Sequence, residues 1–483
     1  MPPESEMPNV HVELPRIELS DGGAWILGAR GMQRFDFDGE GKASHAYASI
    51  GHVYASERVL LIGTEEALMT LREDDLASRD PQAECDRLLA TIGASPEGVA
   101  VLEQIDAVER LGEQEGLARV VWATVALCVL GAGFQLADRL FDQVGIFVPE
   151  LFLRGEHWRA VTMHFLHDLT PMPDFLRPLL PMLPGLPVHM GLNLAGMIVL
   201  GNLVERPLGG WRTTIVLAFS GIGTVIGILV FDHGRVLGAS GLVAGLAGAM
   251  LALELHYARW MPTYWRIPRW IFVGLLLFQF GVIDQVLRNL VAGGAHLGGF
   301  AGGYLATWSM GRPSEEDLRP TLSARIGAFS ATALAILGFV GAWPLATNEI
   351  GALERHAQRV ANLPLDWYRP AYDNAAAWFI AISGEASPEG LDLAVALAER
   401  AVGDTGGLNP HLLDTLAESL FQRGDVEASI YAIDAAIALV PEERYFREQR
   451  RRFTGERASD DRPPEPGDPL PTRFDTPEDD EAA

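Results

Sequence analysis

Three short stretches combine side chains suited to acyl-transfer chemistry with small residues that leave room around them. Gly238-Ala239-Ser240-Gly241 opens the apolar, small-residue run Leu242 to Leu253. Ala295-His296-Leu297-Gly298-Gly299-Phe300-Ala301-Gly302-Gly303 opens a second apolar segment, and His189-Met190-Gly191-Leu192-Asn193 opens a third. Serine is a weak nucleophile unless a neighbouring base takes its proton, and His296 is a base of the right type. His189 and Asn193 stand four residues apart, so one helix face can present both to one centre. Polar groups at membrane depth need partners and are functional candidates by default.

The elements that must position these groups are apolar segments near the length that crosses a bilayer, about 20 residues. Seven are expected, at 117–137, 187–205, 212–231, 238–257, 268–287, 292–311 and 323–346. Loops on the side of the N-terminus carry Arg206 and Arg212, then Arg259, Arg266 and Arg269, then Arg312, Arg319 and Arg325. The opposite short loops carry Arg235 and Arg288. The long first loop adds Arg139, Arg154, Arg159 and Arg177 among Asp138, Asp142, Glu150, Glu156, Asp168 and Asp174. Arginine bias therefore places the N-terminus in the cytoplasm and, after seven crossings, the C-terminus outside. The segments beginning near 187, 238 and 292 then run the same way, and His189, Asn193, Ser240 and His296 all fall in their first turns. At 1.5 Å per residue, Ser240 and His296 lie roughly 7–12 Å below the outer boundary.

These segments also contain small-residue spacings that let helices approach closely. Ser240, Ala244 and Gly248 form one row, with Gly241 and Gly245 beside it. Gly298 with Gly302, and Gly299 with Gly303, are expected to face that row. Either glycine pattern alone would more often mean helix packing.

The pieces GxSG, AHxGGxxxG and HxxxN, in this chain Ser240, His296 and the His189–Asn193 pair, resemble the signature of the rhomboid intramembrane serine proteases. Trp158-Arg159 and Phe165-Leu166-His167 are similar to residues of that family's first loop. The resemblance covers roughly 117–311. It implies a six-helix membrane core that hydrolyses peptide bonds in or near transmembrane segments through a Ser240–His296 dyad. His189, Asn193 and the Ser240 N–H would stabilise the oxyanion, with Gly238 in the same substrate-stabilising set. It implies no metal or organic cofactor, and membrane-protein substrates whose transmembrane segment is helix-destabilised. This chain departs from the family in a proline-rich stretch, Pro171 to Pro187. It also has Ala244 where an aromatic residue often packs on the histidine, so His296 must be held by other groups.

The rest of the 483 residues divides around this core. The chain is mainly α: a polytopic membrane bundle of the six core helices plus one C-terminal transmembrane helix, with a soluble domain on each side. Residues 1–110 read as an α+β module. Short strands at Ala24-Trp25-Ile26-Leu27, Arg34-Phe35-Asp36-Phe37 and Val59-Leu60-Leu61-Ile62 precede helical periodicity at 80–108, where Ser95-Pro96-Glu97 marks a helix start. A sheet capped by a helix is similar to a pleckstrin-homology-like fold. Residues 350–453 read as helical hairpins. Asn409 to Pro441 resembles one tetratricopeptide repeat, with Leu413, Ala417, Gly424, Ala436 and Pro441 at matching places, and Trp378, Ala394 and Ala401 suggest a degenerate copy before it. Its face is a candidate site for a protein partner, with a purely structural cap as the alternative. Residues 454–483 read as a disordered acidic tail.

Several functions are disfavoured. A net charge of −26 argues against a nucleic-acid partner. HExxH does not occur, and His157, His164 and His167 lack clear carboxylate or cysteine partners, so no metal site is expected. Cys85 and Cys128 make no disulfide framework, and Met1 to Met7 predict no cleavable signal peptide. No paired membrane aspartates suggest an aspartyl protease; Asp232 and Asp284 read as loop solvation. The expected setting is the bilayer itself, as a multi-pass protein of a bacterial inner membrane. Two rivals remain: a catalytically inactive rhomboid-like protein that binds membrane proteins, and a scaffold acting through its helical-repeat domain.

Overall fold

A computed structural model describes residues 14–113, 118–137, 144–169, 187–231, 234–279, 292–313, 321–363 and 369–464. The chain divides into two compact units: Met1–Ala137 with Met163–Ile336, and Asp138–Thr162 with Leu337–Ala483.

The first unit begins with seven short strands in two antiparallel meanders, 16–46 and 50–72. Their side chains alternate: in Val59–Thr64, Leu60 and Ile62 are buried while Val59 and Leu61 are half-exposed, as one covered sheet face requires. Ile17, Trp25, Leu27 and Met32 of the first sheet share a core with Ile50, Leu60 and Ile62 of the second. Leu88 and Ile92 of helix α1 (Pro81–Gly93), with Val101 and Ile105 of α2 (Gly98–Gly112), complete it. Asp80 caps α1 by accepting the Ala83 N–H at 3.0 Å, with Pro81 in the first turn. Glu97 caps the second helix, where the sequence placed its start.

This domain grips the turn at 258–266. His52 Nδ1 meets Thr263 Oγ1 at 3.0 Å, and its other ring nitrogen bonds Glu109. Arg266 forks onto Glu254 at 2.7 and 3.1 Å and donates to the Thr64 carbonyl at 2.8 Å. Gly51 lies against backbone: a methyl group there would sit 2.1 Å from the Arg259 oxygen.

Apolar helices follow: α3 (Arg119–Ala137), α4 (Val188–Phe231), α5 (Ser240–His256), α6 (Arg269–Phe278), α7 (Gly293–Met310) and α8 (Leu322–Ala346). Within them, Arg119–Leu136, Val188–Phe231 and Leu322–Ala346 are long and apolar enough to cross a membrane, and Ser240–His256 is a shorter apolar helix. The expected segments 187–205 and 212–231 are two helices of the run α4, which breaks at Gly209 (φ +73) just after Pro207. A proline that cannot donate and a glycine in a non-helical conformation turn the chain here. Much of the expected segment 268–287, all of 171–186, and Asp232 and Asp284 lie outside the described residues. Glu205 caps α3 across the bundle, accepting the Val120 and Val121 N–H groups at 3.0 and 2.8 Å.

The second unit joins residues of the first loop to the C-terminal helices, a grouping that sequence boundaries did not foresee. Glu156 and Arg159 are both fully buried and paired at 2.6 Å. Glu156 also bonds His356 Nδ1 at 2.6 Å and Arg359 at 3.4 Å, both on α9 (Ile350–Ala361). Opposite charges this close hold Glu156 near 2, against its burial. Trp158 donates to the Val144 carbonyl at 3.1 Å and Arg159 to Ile146 at 2.7 Å. Trp158-Arg159 thus folds its own loop around a buried ion pair.

Helices α10 (Arg369–Ile382), α11 (Pro388–Asp404), α12 (Pro410–Arg423), α13 (Val426–Leu439) and α14 (Arg444–Phe453) follow. Asn409 caps α12, and Gly424 at φ +98 ends it, so α13 returns antiparallel. Leu413, Ala417, Ile433, Ala436 and Phe446 form its core. Inside lies a polar network in which Asp414 accepts from Tyr445 Oη at 3.1 Å and from Gln449 at 3.3 Å, while Glu418 pairs with Arg452 and Arg462. Burial, then the Glu418 charge, push Asp414 up to about 7; the Tyr445 and Gln449 bonds and Arg452 oppose this. Unfolded, the group titrates near about 4. Between those values the folded form holds a proton that the unfolded chain releases, so stability is lost as pH rises from about 4 to about 7. Asp414→Asn is expected to flatten that slope in the unfolding midpoint of the C-terminal domain measured across this range.

Candidate active site

Ser240 is the first residue of α5, half-buried, with Ala239 as the cap. Helix geometry leaves the first N–H groups of such a segment without intrahelical acceptors, so the backbone at Ser240 and Gly241 offers donors beside the hydroxyl. The turn before it is tightly specified. Gly238 has φ +123, a conformation that disfavours any side chain. A methyl group there would lie 2.6 Å from the His189 ring and 3.6 Å from Asn193 Nδ2. The structure therefore sets Gly238 against the His189 ring and near the Asn193 carboxamide, two residues before Ser240.

Asn193 is buried, and its Nδ2 has no hydrogen-bond acceptor among the described residues. A carboxamide donor desolvated without a partner costs stability, about 1–3 kcal/mol. Such a group calls for a partner, which water, a ligand or a reacting oxygen can supply. On the oxyanion role that the family resemblance implies, Asn193→Ala is expected to lower kcat by about 10²- to 10³-fold with KM little changed, measured by steady-state cleavage of a transmembrane substrate.

His296 is 8% exposed, in the first turn of α7, and its backbone N–H donates to the Ala292 oxygen at 3.1 Å. Glycines set the approach of its helix. A methyl group at Gly299 would lie 2.1 Å from the Gly241 oxygen, and one at Gly303 1.9 Å from the Gly245 oxygen. Gly241 follows Ser240, and Gly299 is one turn past His296, so the first turns of the two helices meet backbone to backbone. The other pair turns elsewhere. Gly298 packs on the Gly223 oxygen and Gly302 on the Phe219 oxygen of α4. The expectation that both pairs face the Ser240 row is thus corrected: successive glycines on a helix point about 100° apart, so each pair serves a different neighbour. Ser220 and Thr224 fill the gap, their hydroxyls against Gly245 and Gly241 and their own bonds returned to the helix at 2.7 and 2.8 Å.

A contribution that sequence reasoning missed comes from residues 163–168. The Gly238 N–H donates to the Met163 oxygen at 2.8 Å, and the Ala239 N–H reaches His167 Nε2 at 3.4 Å. The Asp168 N–H donates to His189 Nδ1 at 3.3 Å, and the His167 and His189 rings stand 5.8 Å apart. This segment ties the serine turn to the His189 helix. Phe165-Leu166-His167 carried the signal, but spacing alone could not assign it a partner. His167 is itself anchored: its N–H donates to Gln135 Oε1 at 2.9 Å, and its carbonyl accepts from Nε2 at 2.8 Å. Among the described residues, no group of His, Cys, Asp or Glu is placed to hold a metal ion.

Residues 183–313 match the family model described as a rhomboid domain. The chain thus carries a domain of the rhomboid family, and its apolar helices fit that family's membrane core. Curated relatives agree. Rhomboid-type serine protease 2 of Emericella nidulans is 32% identical over 36% of this chain and 34% of its own length. Rhomboid protease GluP of Bacillus subtilis is 26% identical over 34% and 28%. RHOMBOID-like protein 6, mitochondrial, of Arabidopsis thaliana is 28% identical over 31% and 42%. The chain therefore spans less than half the length of these relatives. No solved structure matches it.

Proposed function

We propose that this protein is an intramembrane serine protease in which Ser240 attacks the scissile carbonyl. His296 takes the Ser240 proton as general base and returns it to the leaving amine as general acid. The oxyanion is met by the Ser240 N–H, the Asn193 carboxamide and the His189 imidazole, with Gly238 keeping space for it. The observation that carries this reading is the Asn193 Nδ2, buried without an acceptor among the described residues, beside Gly238 two residues before the serine helix. Matched relatives named as proteases favour it over an inactive binder.

The substrate class is a membrane protein whose transmembrane segment unwinds easily, because a helical backbone hides its carbonyls from attack. We place the N-terminus in the cytoplasm and the C-terminus outside. Two contacts support this. The N-terminal domain packs on the turn at 258–266, which four crossings would return to its own side. The C-terminal helices pack on residues 144–162, from which six crossings lead back to the same side. The Asn409 to Pro441 hairpin is assigned as a tetratricopeptide-like unit that offers a protein-binding face.

The test is cleavage in proteoliposomes of single-span substrates that differ only in helix-breaking residues. Faster cleavage of the helix-broken substrates supports the reading. Equal or no cleavage across the set contradicts it.

A further inference from the structure

We infer that the cleft between Arg154 and α9 binds the phosphate of an anionic lipid headgroup. This open cleft of about 420 Å³ is lined by Arg154, Arg355, Gln358, Arg359 and Asn362. In a chain with a net charge of −26, its lining holds three guanidinium groups, two carboxamides and no carboxylate. Arg355, Arg359 and Asn362 follow at four and three residues, so they project from one helix face.

Arg359 is already oriented for the role. Its Nε donates to the Arg154 oxygen at 3.1 Å, and its Nη1 reaches Glu156 at 3.4 Å. Glu156 is also engaged by Arg159 and His356, which leaves little of its charge to neutralise the cleft. Arg154 and Arg355 form no ion pair among the described residues. Guanidinium forks match phosphate oxygens, and carboxamides add neutral donors.

Position selects the lipid. Ile350, which opens α9, is four residues beyond Ala346, the end of the apolar helix Leu322–Ala346. Trp343, 60% exposed near that end, is the residue type that marks a membrane–water boundary. Leu153, next to Arg154, is 69% exposed. An exposed apolar side chain followed by an arginine suits a segment whose leucine enters lipid while the arginine stays among headgroups. Basic clefts at this level recognise phosphate-bearing lipids. The inference rests on the membrane reading of Leu322–Ala346 and not on the catalytic assignment.

The experiment is native mass spectrometry of the full chain, released from neutral detergent with equal phosphatidylglycerol and phosphatidylcholine. Wild type should retain phosphatidylglycerol about 10- to 30-fold better. The double variant Arg154→Ala/Arg355→Ala should approach parity with an unchanged thermal midpoint, both side chains being exposed. A second arm adds inorganic phosphate alone. Displacement of the lipid only at millimolar phosphate supports the headgroup as ligand, whereas phosphate binding as tightly as the lipid overturns that choice of ligand. A preference that survives the double variant, or no preference in wild type, overturns the site. Retention of neither lipid would instead overturn the membrane reading on which it depends.

Discussion

Ser240→Ala is expected to reduce cleavage of a transmembrane substrate by about 10⁴-fold or more, and His296→Ala by a comparable factor. The two losses should not add, because nucleophile and base act as one unit: once either is gone, the other has no proton to pass. The double variant should therefore retain about the same residual rate as each single variant. That residue of activity would reflect the oxyanion donors proposed at Asn193, His189 and the serine turn. Single-turnover rates in proteoliposomes measure all three variants. Near-additive losses would mean that Ser240 and His296 act in separate steps.

Gly299→Val is expected to inactivate the protein without touching either reacting side chain. Its first carbon alone would stand 2.1 Å from the Gly241 oxygen and 2.9 Å from Thr224 Oγ1, both far inside contact distance. Backbone cannot rotate away as a side chain can, so α5 and α7 must separate. Overpacking of this kind costs about 1–3 kcal/mol. A shift of about 1 Å in a reacting pair can cost about 10²-fold in rate. The variant should lose at least that much activity and also melt earlier. Gly274→Ala, where nothing lies within 4 Å of the added carbon, is the matched control and should change neither property. Equal activity in both variants would show that the close approach of the two helices does not position the site.

Much of this arrangement was legible in the residues. The expectation that His189, Asn193, Ser240 and His296 stand in the first turns of apolar helices rested on period and segment length, which are local properties of a chain, and the structure has them there. Gly238 could be singled out because it opens the GxSG stretch, a serine between glycines at the start of an apolar helix. Which glycine faces which helix could not be read, since small residues permit close packing without naming the partner. Gly298 and Gly302 show this: their spacing is that of Gly299 and Gly303, yet they meet α4. The role of His167 was hidden for a related reason, because its contacts with the Ala239 N–H and Gln135 join residues 72 and 32 positions away. The pairing of Glu156 with His356 spans 200 residues, and neither side chain carries a local pattern that points to the other. The break between the two expected segments within Val188–Phe231 falls at Pro207 and Gly209, residues that end and turn a helix.

The most direct measurement is covalent labelling of the purified protein in mild detergent by a fluorophosphonate or isocoumarin probe, with the modified residue located by peptide mass spectrometry. An activated serine predicts a single adduct on Ser240 in wild type, and none in Ser240→Ala or His296→Ala. Labelling that persists in both variants, or an adduct on another serine, would contradict a Ser240–His296 dyad.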